Sequence, residues 1–218
     1  MATRTRKAGA TPAGRREQNK QEKLARIAAA AKALFAAKGF AQTTTQEIAE
    51  RAEIGAGTLF LYAKSKEDLL VMVFKDEMIE TSRAGFERVD ASAPFLDQLM
   101  YVFGAMIAYH ERDLGLARVL IREVTIPTGS ERKHHIAVLM RAIYSGIGDL
   151  IRAAQRDGAL RPDVDPESAA QNLFAVYYFG LIAWLGGNVT RPEFKRCLRA
   201  SLSQVIGGIA AQSVRRPA

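Results

Sequence analysis

The stretch from Gly39 to Leu70, GFAQTTTQEIAERAEIGAGTLFLYAKSKEDLL, decides the fold of this chain. Gly39 ends a preceding helix, because a residue without a Cβ readily takes the left-handed conformation that closes a last turn. Thr44 or Thr43 can cap the next helix, and Glu47, three residues after Thr44, completes a capping-box pattern ahead of Ile48, Ala49 and Ala52. This predicts a short helix over about 45–52. Glu53, Ile54 and Gly55 then make a tight connection to a second short segment, Ala56 to Tyr62, in which Leu59 and either Phe60 or Tyr62 pack inward. Two short helices joined by a three-residue turn form a helix-turn-helix. Ser65 caps a longer helix through Lys66, Glu67 and Asp68, whose acids suit the positive end of the helix dipole.

Upstream, Leu24, Ile27, Ala28, Ala31, Leu34 and Phe35 recur at helical spacing and predict a first helix over about 17–38. Residues 1–16 mix Thr, Gly, Pro, Arg and Lys with almost no large apolar side chain, and are expected to be a basic, disordered arm. The net charge of the chain is +8. It is unevenly placed: Arg4, Arg6, Lys7, Arg15, Arg16, Lys20, Lys23 and Arg26 oppose only Glu17 and Glu22, eight cations against two acids, a net of +6. A basic segment of this kind suits a polyanion, nucleic acid first.

Downstream the pattern stays helical to the end, without strand alternation or repeats. Breaks fall near Ala91 to Pro94, Glu111 to Gly115, Ile126 to Ser130, Gly158 to Pro166 and Gly186 to Pro192. The expected architecture is all-α with about nine helices: an N-terminal three-helix helix-turn-helix domain over 17–64 and a C-terminal helical domain over 65–218, to which the ligand-binding and dimerisation roles argued below are assigned. The longest apolar stretch, Leu173 to Leu185, is shorter than the ~20 residues needed to span a bilayer, so no membrane partner is expected. Nor does an apolar stretch follow the basic N-terminus, and a lone cysteine, Cys197, cannot form an internal disulfide; the expected location is the cytoplasm. Cys197 reads as core or interface packing.

The order Gly39-Phe40, Thr43-Thr44, Ile48-Ala49, Gly57-Thr58-Leu59, Tyr62 and Ser65-Lys66-Glu67 resembles the DNA-binding domain of the tetracycline-repressor (TetR) family. The resemblance is strong over about 20–70. Beyond it, likeness rests on helix count, length and the Gly158 to Pro166 linker. It implies a DNA-binding regulator with a small-molecule sensor domain and no cofactor. The expected DNA-binding residues are Thr43, Thr44, Thr45, Gln46, Gly55, Ala56, Gly57, Thr58, Tyr62, Lys64 and Lys66. Hydroxyls and free N–H groups at helix N-termini receive phosphate oxygens, with Lys64 and Lys66 adding cations. Four positions depart from the family pattern: Glu53 stands where Gly is usual, Gly55 where Ser is common, Phe60 where many members have Tyr, and Ala63 where an aromatic is common. The third helix is poor in base-reading side chains, so Thr45, Gln46 and Gln42 are expected to share that work.

In the C-terminal half, Phe194, Cys197, Leu198, Ser201, Leu202, Val205, Ile206 and Ile209 form an apolar stripe, and the preceding helix is apolar nearly all round. Two such helices per subunit suit a four-helix homodimer interface. Expected ligand-pocket residues are Phe74, Met78, Phe103, Met106, Tyr109, Met140, Tyr144, Phe174, Tyr177 and Tyr178, flexible or amphipathic side chains that suit an apolar or amphipathic effector. Met and aromatic residues at helical spacing also read as plain core. No catalytic or metal-binding constellation is expected: His110, His134 and His135 read as surface histidines, and no Walker, nucleophile-elbow or dinucleotide pattern occurs. The expected function is a repressor that binds a palindromic operator as a homodimer and is released by an effector. The alternative is an activator or a low-specificity architectural DNA binder.

Overall fold

The computed structural model describes residues 12–211. Nine helices occur among them: α1 (Pro12–Lys38), α2 (Thr45–Arg51), α3 (Ala56–Leu59), α4 (Lys66–Glu87), α5 (Phe95–Glu111), α6 (Leu114–Thr125), α7 (Ser130–Arg156), α8 (Pro166–Leu185) and α9 (Arg191–Ile209). Every break expected downstream of residue 90 separates two of these helices. Helix α1 begins five residues ahead of the expected start, so residues 12–16 of the supposed arm are helical; residues 1–11 lie outside the described region.

The chain divides into two compact units, 1–73 and 74–218. The first reaches further into α4 than the expected boundary at 64, because the start of that helix is bound to the helix-turn-helix. Lys66 Nζ donates to the carbonyls of Phe40, Ala41 and Thr43, and Asp68 Oδ2 accepts the backbone N–H of Lys64. The core of this unit is built at helical spacing from Ile27, Ala31 and Phe35 on α1, Ile48 and Ala49 on α2, and Leu59 on α3. Gly39 takes φ +80°, the left-handed turn that ends α1.

In the second unit α8 lies against α6, α7 and α9, and α5 against α6, α7 and α9. The buried stripes are Leu99, Val102, Phe103, Met106 and Ile107 on α5; Leu139, Ile143, Ile147 and Ile151 on α7; Leu173, Tyr177, Leu181 and Leu185 on α8; and Phe194, Leu198 and Leu202 on α9. Gly180 makes the α8–α9 approach possible, since a Cβ there would meet the Phe194 ring at 2.4 Å. Side-chain caps fix three starts: Asp113 for α6, Asp165 for α8, and Thr190 with Glu193 in a capping box for α9. Gln155 holds the α7–α8 loop through the carbonyls of Arg161 and Val164, and Arg161 N–H donates to Ile209 at the end of α9. No described helix is long and apolar enough to cross a membrane.

Candidate nucleic-acid interface and sensing core

Thr44 opens α2 with the expected capping box. Its hydroxyl accepts the Glu47 N–H at 3.2 Å, while Glu47 Oε2 accepts both the N–H and the hydroxyl of Thr44 at 2.9 Å. Lys38 donates to the same carboxylate. The hydrogen bond from Lys38, then those from the Thr44 backbone and hydroxyl, lower the Glu47 pKa to about 2. The carboxylate is therefore fixed as an anion, and it locks the first turn of α2. Thr45 is half-buried beside it; Gln46 is exposed and donates to Glu50 at 2.9 Å.

Four residues make α3, fewer than the seven expected. Gly55 stands at its N-cap in an extended conformation, with its carbonyl taking the N–H groups of Thr58 and Leu59. Leu59 is fully buried and anchors the element, whereas Phe60 is 42 % and Leu61 79 % exposed. Tyr62 and Thr58 are half-buried, and Ala56 and Gly57 complete a small-residue surface; a Cβ on Gly57 would meet nothing within 4 Å. The turn between α2 and α3 places Glu53 at φ +55°, the only positive-φ non-glycine residue described and the position where the family usually has glycine.

Two expected DNA contacts spend their polar groups within the chain. Thr43 is 1 % exposed, and its hydroxyl donates to the Gly39 carbonyl at 2.8 Å, so it closes the end of α1 and cannot face a phosphate. Lys66 spends its ammonium on three carbonyls at 3.0–3.3 Å and lies 4.6 Å from the Phe40 ring centroid, which makes it a staple of the turn after α1. Lys64 stays on the surface, with its ammonium on the Phe60 carbonyl at 2.7 Å. Ser65 accepts the Asp68 N–H, the expected cap of α4. Thr44, Thr45, Gln46, Gly55, Ala56, Gly57, Thr58, Tyr62 and Lys64 therefore remain as candidates around α2 and α3.

In the C-terminal unit, seven of the ten expected pocket residues, Phe74, Met78, Met106, Met140, Phe174, Tyr177 and Tyr178, line one small cavity of about 20 Å³. Phe103 stacks on Tyr177 at 4.6 Å, and Tyr144 meets Phe174 edge-on at 5.5 Å. Tyr109 turns away to donate to Glu77 at 2.6 Å; burial, then that carboxylate, raises its pKa. His110 is corrected from surface to core: it is 2 % exposed, lines the cavity, and burial pushes its pKa down to about 4. Its place at the end of the run Phe103, Met106, Ile107, His110 was the missed periodic signal. Met140 and Tyr144 also line an open cleft of about 480 Å³ with Arg141, Arg152 and Gln171.

On the other side of α8, Ala175, Val176, Gly180 and Ala183 line an open groove of about 490 Å³ with Cys197, Leu198 and Ser201 of α9. Phe179 is 75 % exposed nearby. Cys197 is exposed in the single chain, so of its two expected roles core packing is ruled out.

A capped α2, a tight turn and a short α3 on a separate compact unit define a helix-turn-helix. Residues 27–73 match the bacterial regulatory proteins of the tetR family. The fatty acid metabolism regulator protein of Bacillus subtilis (strain 168) is 24 % identical over 77 % of this chain and 86 % of its own length. The HTH-type transcriptional repressor KstR of Mycolicibacterium smegmatis is 25 % identical, with 86 % and 88 % covered. Among solved structures, Thermus thermophilus FadR, a TetR-family transcriptional repressor in complex with lauroyl-CoA, superposes with a TM-score of 0.68 at 22 % identity, over 89 % of this chain and 99 % of that one. Residues 27–73 thus form a DNA-binding domain of the TetR type, and over most of its length the chain is similar to TetR-family transcriptional regulators.

Proposed function

We propose that this regulator is a repressor that binds a palindromic operator as a homodimer and releases it when an apolar or amphipathic effector occupies the C-terminal core. The observation that carries the reading is the uncovered apolar face of α8 and α9. Phe179, Cys197 and the small residues around Gly180 stay open along the α8–α9 groove, as suits two helices awaiting the same two helices of a second copy. Dimerisation and DNA recognition support each other, because a four-residue α3 buries little and two half-sites restore affinity. Thr44, Thr45, Gln46, Gly55, Ala56, Gly57, Thr58, Tyr62 and Lys64 form the DNA-facing surface, with the basic N-terminal residues adding phosphate contacts. The Met and aromatic lining of the core supports an apolar effector, and acyl-CoA thioesters are the first class to try, since similar regulators carry them.

The test is selection from random duplexes at near-physiological salt, followed by sequencing, with lauroyl-CoA then added to the selected probe. Expected are a palindromic motif, a dimeric mass in sedimentation, and release on adding the effector. Enrichment of no motif, with binding that fades as salt rises, would instead establish a low-specificity binder. One observation favours that second reading: Gly57, Phe60 and Leu61 give α3 and its exit almost no hydrogen-bonding side chains.

A further inference from the structure

Two side-chain atoms in the C-terminal core have no hydrogen-bond partner in the protein, His110 Nδ1 and Tyr177 Oη. Both side chains line the same small cavity, His110 from the last turn of α5 and Tyr177 from the middle of α8. They are 2 % and 1 % exposed. Buried polar groups in folded proteins are nearly always paired, and two such orphans around one small cavity call for an explanation. Neither is free to swing away. Tyr177 is stacked on Phe103 with the rings 7° from parallel and is flanked by Phe174, while His110 lies between the rings of Phe74 and Tyr109.

The rest of the lining decides what can be taken up. Apart from His110 and the hydroxyls of Tyr177 and Tyr178 it is aliphatic, thioether or phenyl, and no lysine, arginine, aspartate or glutamate reaches it. A carboxylate drawn into such a space would lose its water without meeting a counter-charge. An uncharged oxygen meets what it needs: a carbonyl accepts from the Tyr177 hydroxyl, and a neutral imidazole nitrogen can donate or accept at the second position.

Resting on the sensor reading given above, we infer that His110 and Tyr177 form the specificity pair of the effector site, taking one uncharged oxygen, a carbonyl or hydroxyl, carried inside the core on an apolar skeleton. The cavity of about 20 Å³ holds no more than a water-sized group, so the skeleton enters by displacing side chains. Met78, Met106 and Met140 are the flexible ones in the lining. An effector recognised here is selected twice, for shape by the thioethers and rings and for one neutral polar atom by the pair.

The experiment is calorimetric titration of the full chain with three matched probes, 2-octanone, octane and octanoate, repeated with Tyr177→Phe and His110→Phe. The expected order is 2-octanone at least tenfold tighter than octane, and octanoate weakest. Tyr177→Phe removes most of the ketone's advantage and leaves octane unchanged. Binding of octane and 2-octanone with equal affinity, or of octanoate above 2-octanone, overturns the specificity pair while leaving an apolar sensor core standing. Binding of none of the three removes the core as a ligand site and both readings with it. A wild-type order other than the expected one overturns the pair even if a variant fails to fold.

Discussion

Lys66 distinguishes a staple from a DNA contact, and replacing it with methionine separates the two roles. Methionine keeps a comparable apolar stem and loses every donor. The wild-type ammonium donates to Phe40, Ala41 and Thr43 at 3.0, 3.1 and 3.3 Å and sits over the Phe40 ring. Hydrogen bonds from a charged donor contribute about 1.5–3 kcal/mol each in favourable cases. Here one charge is shared among three carbonyls, and the exposed Ala41 regains water, so the sum is not three full bonds. About 2–3 kcal/mol is the expected loss, including about 0.5 kcal/mol for the cation over the ring. Hydrogen exchange of the Ile48 and Leu59 amides reads this in the N-terminal unit itself, because both donate within the helix-turn-helix. Their exchange should accelerate by roughly 30- to 150-fold. DNA affinity, measured without denaturant where the variant remains folded, should keep its salt dependence. A phosphate ligand gives the reverse result: unchanged exchange, with the slope of log K against log salt falling by about 0.9 per protomer. That result would refute the staple. Lys64→Met is the control, since its ammonium bonds only within its own turn and should reduce the slope while sparing stability.

Glu53 holds φ +55°, so Glu53→Gly should be more stable than Glu53→Val by about 2 kcal/mol in urea titrations, a β-branched residue being the costliest in that conformation; equal stabilities would place the residue elsewhere in φ. The exposed Arg26–Glu53 pair at 3.9 Å is lost in both variants and cancels. Gly180→Ala drives a Cβ to 2.4 Å from the Phe194 ring and should destabilise the C-terminal unit by about 1–3 kcal/mol, read by Trp184 fluorescence; a neutral effect would mean that α8 and α9 pack less closely. His110 titrates near 4 when folded and near 6.5 when unfolded, so on acidification the unfolded chain takes the proton first. Its contribution is complete above pH 6.5 and is lost as pH falls towards 4, about 2 kcal/mol of it between pH 7 and 5. His110→Phe should flatten the stability profile over that interval by the same amount, and an unflattened profile would show that His110 is not held neutral.

Local signals were legible in the sequence because their partners lie within a turn. The Thr44–Glu47 box, the Ser65 cap, the stop at Gly39 and the downstream breaks needed no knowledge of tertiary structure. Lys66 and Thr43 were misread for the opposite reason. Lys66 reaches carbonyls 23–26 residues away, and nothing in a local window separates an ammonium bound to backbone from one awaiting a phosphate. The same applies to His110, whose polarity outweighed its position on the α5 stripe, and to the division at Val73, set by side chains on α4 that bind residues before it. Helix α3 is shorter than its pattern because Leu59 alone supplies its buried anchor, and after it Phe60 and Leu61 turn outward. Seven of the ten pocket candidates share one cavity lining, since Met and aromatic side chains cluster in the core, but the sequence holds no information about the volume between them.

That volume governs how an effector would act. A cavity of about 20 Å³ is far below the ~300 Å³ of a small-ligand pocket, so binding requires an opened core, and apparent affinity is reduced by the fraction of molecules that open. A core filled this far suits a responsive regulator, because an effector that bound both states equally would shift nothing. Met140 tests this argument, since its side chain lines both the small cavity and the larger cleft beside Tyr144. Met140→Ala removes that partition. The variant should lose about 2 kcal/mol of stability, the low end for a methionine truncation because the residue is half-buried. It should nevertheless bind 2-octanone more tightly and faster than the wild type, since part of the opening is already done, and release selected DNA at a lower effector concentration. If affinity falls along with stability, Met140 is a wall that the ligand needs, the cavity does not open through it, and the route into the core lies elsewhere.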